Sequence, residues 1–141
     1  MKFLKTHNSL ITAFGNDFTK PEYSLGVIYV IRDPRNVITS VKNHNDLDSY
    51  EQALKFMQDE NKVLEDYPHL KNYAKTNIVN SWRINYQSWL SNKSFRRLII
   101  RYEDMVKNPI QTFEKLVVFV NNLMRFDNKI CLLYTSPSPR D

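Results

Sequence analysis

Lys5 and His7 stand two residues apart, so on an extended chain both side chains point to the same side. A histidine titrating near neutrality can take a proton from an attacking hydroxyl. A neighbouring lysine can neutralise charge that grows on a transferred group. Further on, Arg32 closes the apolar run "LGVIYVI", and Ser40 follows it by eight residues. The guanidinium of Arg32 offers a planar fork of donors that matches a phosphate or a sulfate. A helix N-terminus beside it would add orphan N–H groups and a partial positive charge, but Asp33 is placed to take that cap itself. At 1.5 Å per residue, Ser40 lies roughly 10 Å along the helix axis from Asp33. An anion shared by Arg32 and Ser40 would therefore rest along the helix flank. A plainer alternative pairs Arg32 with a carboxylate and leaves Ser40 as a filler, and composition alone favours it. His44 and His69 lie in polar, loop-like stretches and are assigned no chemistry.

These residues need elements to hold them. Met1–Leu4 is short, apolar and strand-like. Ser9–Ser24 is polar, contains Gly15, Asn16, Asp17 and Pro21, and reads as a loop. Leu25–Ile31 suits a strand buried on both faces of a parallel sheet. Asp33 as N-cap with Pro34 at the first helical position opens a helix to about Asn43. Ser49 and Gln52 have capping-box spacing and open a helix to about Asp66, its apolar side sparse and interrupted by Asn61. "DYPHLKN" is a loop. Thr76–Leu90 reads as a helix whose Ile78, Trp82, Tyr86 and Trp89 line one face. That face suits a core, and a stacking platform for a base is the lesser use. "RRLIIRY" is a second buried strand, carrying Arg101, Tyr102, Glu103 and Asp104 at its end. Asn108 and Pro109 then begin a helix with a wide apolar stripe of Ile110, Phe113, Leu116, Val117, Val120 and Leu123. Apolar strands separated by helical connections indicate an α/β fold with a mostly parallel sheet. In such sheets ligands bind beyond the carboxyl ends of the strands, where Lys5, His7, Arg32 and Tyr102 all fall.

Bulk properties narrow the chemistry. The chain of 141 residues is 42% apolar and 25% charged, ordinary for one globular domain. Its net charge of +5 suits a phosphate- or sulfate-bearing ligand but is too scattered to select nucleic acid. The two glycines, Gly15 and Gly26, are too far apart for either Gly-rich phosphate loop motif. No apolar run has the length of a membrane span, and no signal peptide is visible. A single cysteine, Cys131, excludes an internal disulfide framework and a multi-cysteine metal site, so a cytoplasmic setting is expected.

Taken in order, four stretches resemble the P-loop sulfotransferase family, in its bacterial-type members. "FLKTHNSL" is similar to the segment bearing the family's catalytic histidine and companion lysine, here His7 and Lys5. "GVIYVIRDPRNVITS" is similar to the segment whose arginine and serine hold the 3′-phosphate of the donor, here Arg32 and Ser40. "SWRINYQSWL" resembles a tryptophan-bearing helix, and "LIIRYEDMVKNPIQTFEKLVVFV" a later strand–helix unit whose tyrosine, here Tyr102, contacts the adenosine part. The resemblance implies a partial P-loop-type fold, sheet flanked by helices in three layers. It also implies a sulfuryl transfer from 3′-phosphoadenosine 5′-phosphosulfate (PAPS), with PAP as product, to an acceptor hydroxyl or amine, and no metal. It favours the anion-binding reading of Arg32 and Ser40 over the filler reading.

The resemblance also has gaps. The family's 5′-phosphosulfate loop and its C-terminal Arg-Lys-Gly segment find no counterpart. The expectation is an internal piece of an enzyme, a partial domain over residues 1–130, inactive alone and prone to pair through an open sheet edge. "CLLYTSPSPRD", residues 131–141, resembles the in-frame translation of a sequencing-library adapter and is set aside from the fold. Two rival functions remain open: a kinase-like phosphotransferase, and a non-catalytic basic module for phosphates or RNA. Acceptor choice, carbohydrate or small molecule, would lie in Ser9–Ser24 and Asn43–Asp66.

Overall fold

The computed structural model describes residues 2–13, 15–66 and 75–126. Its centre is a parallel pair of strands, β3 (Val27–Ile31) and β6 (Arg97–Arg101). Two antiparallel strand pairs accompany it: β1 (Thr12–Ala13) with β2 (Asn16–Asp17) before β3 in sequence, and β4 (Val63–Asp66) with β5 (Lys75–Ile78) between β3 and β6. Helices α1 (Pro34–His44), α2 (Tyr50–Gln58), α3 (Trp82–Ser91), α4 (Tyr102–Lys107) and α5 (Pro109–Phe126) complete the order. The class is α/β, as the alternation of apolar strands and helical stretches requires. Among the described residues no helix is long and apolar enough to cross a membrane.

Local chemistry explains most boundaries. Asp33 caps α1, its carboxylate accepting from Arg35 N, and Pro34 supplies the pre-set first turn. Ser49 caps α2 by accepting from Gln52 N. Gln52 reciprocates one residue early, its Oε1 accepting from Asp48 N at 3.1 Å. Gly15 sits in the left-handed region, φ 78°, at the turn between β1 and β2.

Several expected elements differ. Lys2–Leu4 forms no strand; Phe3 and Leu4 are 66% and 81% exposed, with no ladder to bury them. The second helix stops at Gln58 rather than Asp66. Asp59 Oδ1 accepts from Asn61 N in a local turn that competes with the helix, and β-branched Val63 starts a strand instead. The aromatic helix starts at Trp82, not Thr76, because Ser81 caps it by accepting from Ile84 N. Ile78 therefore belongs to β5 and leaves the aromatic face. Tyr102 opens α4, a short helix the sequence did not signal. Strand burial is one-sided in part: Val30 is 50% and Ile99 43% exposed. On α5 the stripe is buried only towards its end, at Leu123, while Ile110 and Phe113 stay exposed. The loop over "DYPHLKN", His69 and the adapter-like residues 131–141 lie wholly or largely outside the described residues.

Among the described residues the buried apolar set is Ala53, Trp89, Phe95, Ile100 and Leu123. Trp89 meets Phe18 edge-on at 6.0 Å and Tyr29 at 6.4 Å between ring centroids, so the tryptophan helix seats its face on the core. Leu123 closes α5 over the start of β3. A Cβ at Gly26 would lie 2.7 Å from Leu123 Cδ1 and 3.0 Å from the Arg96 carbonyl oxygen. That carbonyl accepts from Val27 N at 2.9 Å, so it cannot retreat without breaking the strand's first bond. Gly26→Ala is expected to destabilise the fold by about 1–3 kcal/mol through overpacking, read as a lower urea midpoint at unchanged slope.

Candidate active site

Parallel register sets Ile31 beside Arg101, so the next residues, Arg32 and Tyr102, leave the sheet together. The Arg32 guanidinium carbon lies 4.7 Å from the Tyr102 ring centroid. Such a contact is attractive through the ring quadrupole and fixes a long, flexible side chain. Arg32 is half-buried, and its Nε is buried without a hydrogen-bond partner. An unpaired buried donor costs about 1–3 kcal/mol, so it marks a place that suits an acceptor. Among the described residues Arg32 forms no ion pair, and the neighbouring Asp33 is paired with Arg35. Arg35 donates to it from Nε at 3.0 Å and from Nη2 at 2.6 Å.

A second tie joins the two strand ends. Asp33 N donates to Glu103 Oε1 at 2.9 Å, across from one strand-to-helix turn to the other. That bond holds the Glu103 carboxyl below its usual range. The side-chain hydrogen bond from Arg35, with the Arg35 backbone N–H next, holds Asp33 down at about 2. Ser40 lies exposed on α1, two turns on, outside the Arg32–Tyr102 contact.

His7 and Lys5 are both exposed, on a segment without regular secondary structure. From His7 onward this segment is tied to β5 and α3. Asn85 Nδ2 donates to the His7 carbonyl at 3.1 Å, and Trp89 Nε1 to the Asn8 carbonyl at 2.9 Å. Asn8 Oδ1 accepts from Ile78 N, and Ser9 donates from its backbone N to Ile78 O and from Oγ to Val79 O. Leu10 N donates to Ser88 Oγ at 2.9 Å. Tyr29 of β3 donates from its hydroxyl to Asn85 Oδ1 at 2.9 Å, linking this segment to the strand that carries Arg32. The sequence reading passed over Asn85; its only signal was a polar residue among the aromatic positions of that helix.

Two surface cavities, of about 240 Å³ and 410 Å³, contain none of Lys5, His7, Arg32, Ser40 or Tyr102. Among the described residues no group of three or more His, Cys, Asp or Glu could hold a metal. The model of the sulfotransferase domain family matches residues 1–128. This chain belongs to the sulfotransferase family. No curated protein matches it. The match spans every described element and all five candidate residues, and membership supports sulfuryl transfer as the general activity.

Because Asp33 falls from 3.8 to about 2 in the fold, its capping contribution is complete above pH 3.8 and is lost as pH drops towards 2. Its carboxyl carbon shift should titrate with a midpoint near 2, and in Arg35→Ala the midpoint should return towards 3.8. A wild-type midpoint at the ordinary value would show that Arg35 does not hold this turn.

Proposed function

We propose that this chain is the central part of a sulfotransferase that takes its sulfuryl group from PAPS. The observation that carries the reading is the buried, unpartnered Arg32 Nε beside the Tyr102 ring at the joined ends of β3 and β6. A guanidinium in this setting suits a dianionic phosphate, and the neighbouring ring suits a nucleoside. Arg32 and Ser40 hold the 3′-phosphate, and Tyr102 places the adenosine. PAPS, when bound, supplies an activated sulfuryl group with PAP as the leaving group.

His7 accepts the proton of the acceptor hydroxyl or amine as that atom bonds to sulfur. Lys5 offsets charge on the oxygens of the group in transit. Both side chains are exposed, which leaves them open to substrate. The acceptor is a carbohydrate or another small molecule selected by the segments Ser9–Ser24, which carries the β1–β2 pair, and Asn43–Asp66, which carries α2 and β4. The reducing cytoplasm is the matching compartment. The isolated chain turns over negligibly, because positioning the sulfuryl group is a large share of such catalysis and the family's 5′-phosphosulfate loop finds no counterpart among its residues.

In the intact parent enzyme His7→Ala should lower kcat by about 10²–10⁴-fold while PAP affinity holds. Surviving turnover would remove His7 from the role of base. Arg32→Lys should weaken PAP binding by about 10–100-fold, the loss of a charge-assisted hydrogen bond of ~1.5–3 kcal/mol. Calorimetric titration with PAP and with adenosine 5′-phosphate separates a 3′-phosphate contact, which only PAP would lose, from general weakening.

A further inference from the structure

We infer that Asn85 is a positioning residue for His7, acting through the main chain and setting the distance between His7 and the end of β3. The inference rests on the reading of His7 as the base. Among the described residues, the His7 carbonyl is the first group of the N-terminal segment to be hydrogen-bonded to the rest of the fold, and its donor is Asn85 Nδ2. Residues before it make no such tie. Where that carbonyl is held, the His7–Asn8 peptide plane is held, and with it the direction in which the His7 side chain leaves the backbone.

Only a carboxamide meets the demands at this point. Nδ2 donates to two carbonyls, His7 O at 3.1 Å and Val79 O at 3.0 Å, while Oδ1 accepts from the Tyr29 hydroxyl at 2.9 Å. Two donors and one acceptor are all used. The amide cannot turn over, because Oδ1 would then face two carbonyl oxygens. Burial pushes the Tyr29 phenol up to about 12, so it remains a donor throughout the neutral range. Tyr29 lies three residues before Arg32 on the same strand run. The chain Tyr29–Asn85–His7 is therefore a strut from the strand that bears the anion seat to the backbone of the base. An aspartate at this position is nearly the same size but has no donors, and it would push both carbonyls away.

The test uses the intact parent enzyme with PAPS and an acceptor it turns over, under single-turnover conditions. Asn85→Asp should lower the chemical rate by roughly 10–100-fold, the scale of a misplacement of about 1 Å, while PAP affinity changes by less than about threefold. Asn85→Ala, which removes the donors without adding charge, serves as a second variant should the aspartate fail to fold, and should show the same split between rate and affinity. In a His7→Ala background neither substitution should slow the residual reaction further, because there is no base left to misplace. A full additional loss in that background, an equal fall in PAP affinity, or an unchanged rate in Asn85→Ala would each overturn the inference. If His7→Ala alone leaves the rate intact, it is the assignment of the base that fails, a result distinct from any of these.

Discussion

The pairing of β3 with β6 in parallel is the constraint on which the site depends. Parallel strands end on the same side, so their carboxyl ends deliver two chain turns to one place. Here the register leaves no offset: Ile31 faces Arg101, and Arg32 and Tyr102 emerge as neighbours. The turns are then locked to each other by the Asp33 N–H on Glu103, a bond that needs both strands in register and both helices begun on time. The capping of α1 by Asp33 with Arg35 belongs to the same arrangement. It occupies the carboxylate next to Arg32 in sequence, while the Arg32 guanidinium rests on the Tyr102 ring.

The N-terminal segment is held by another kind of force. It has no ladder of its own, yet its backbone groups from His7 to Leu10 are met one after another by side chains and main chain of β5 and α3. Buried peptide groups must find partners, and the tryptophan helix supplies three of them through Asn85, Ser88 and Trp89. Trp89 packs on Tyr29 with its ring and bonds Asn8 with its nitrogen. One residue thus serves the core and the segment together.

Much of this was legible in the sequence where a short-range rule governs. The two central strands, the caps at Asp33 and Ser49, Pro34 and Pro109 at helix starts, and the strand-end positions of Arg32 and Tyr102 all follow from residue type and spacing. Misreadings arose where two rules compete over a few residues. Leu64 could have continued a weak helical stripe past Asn61, but the Asp59 turn ends the helix and β-branched Val63 begins a strand. Ile78 fitted the spacing of the aromatic face, yet Ser81 began the helix after it. The strand expected at Met1–Leu4 needed a neighbour that spacing alone does not supply. Asn85 was missed for a different reason. Two of its three partners lie 56 and 78 residues away, and a single polar residue on a helix gives no sign of which distant groups it will meet.

The anchoring of residues 7 to 10 has an evolutionary side. The bonds that fix this stretch run through the carbonyls of His7 and Asn8, the Asn8 amide side chain, and the amides of Ser9 and Leu10; neither the imidazole at position 7 nor the ammonium at position 5 takes part. Scaffold and reagent are thus separable. A descendant could exchange either of the proposed reactive groups and keep its architecture, so lineages that have lost or changed their chemistry should persist as well-folded proteins whose shape alone would not betray the change.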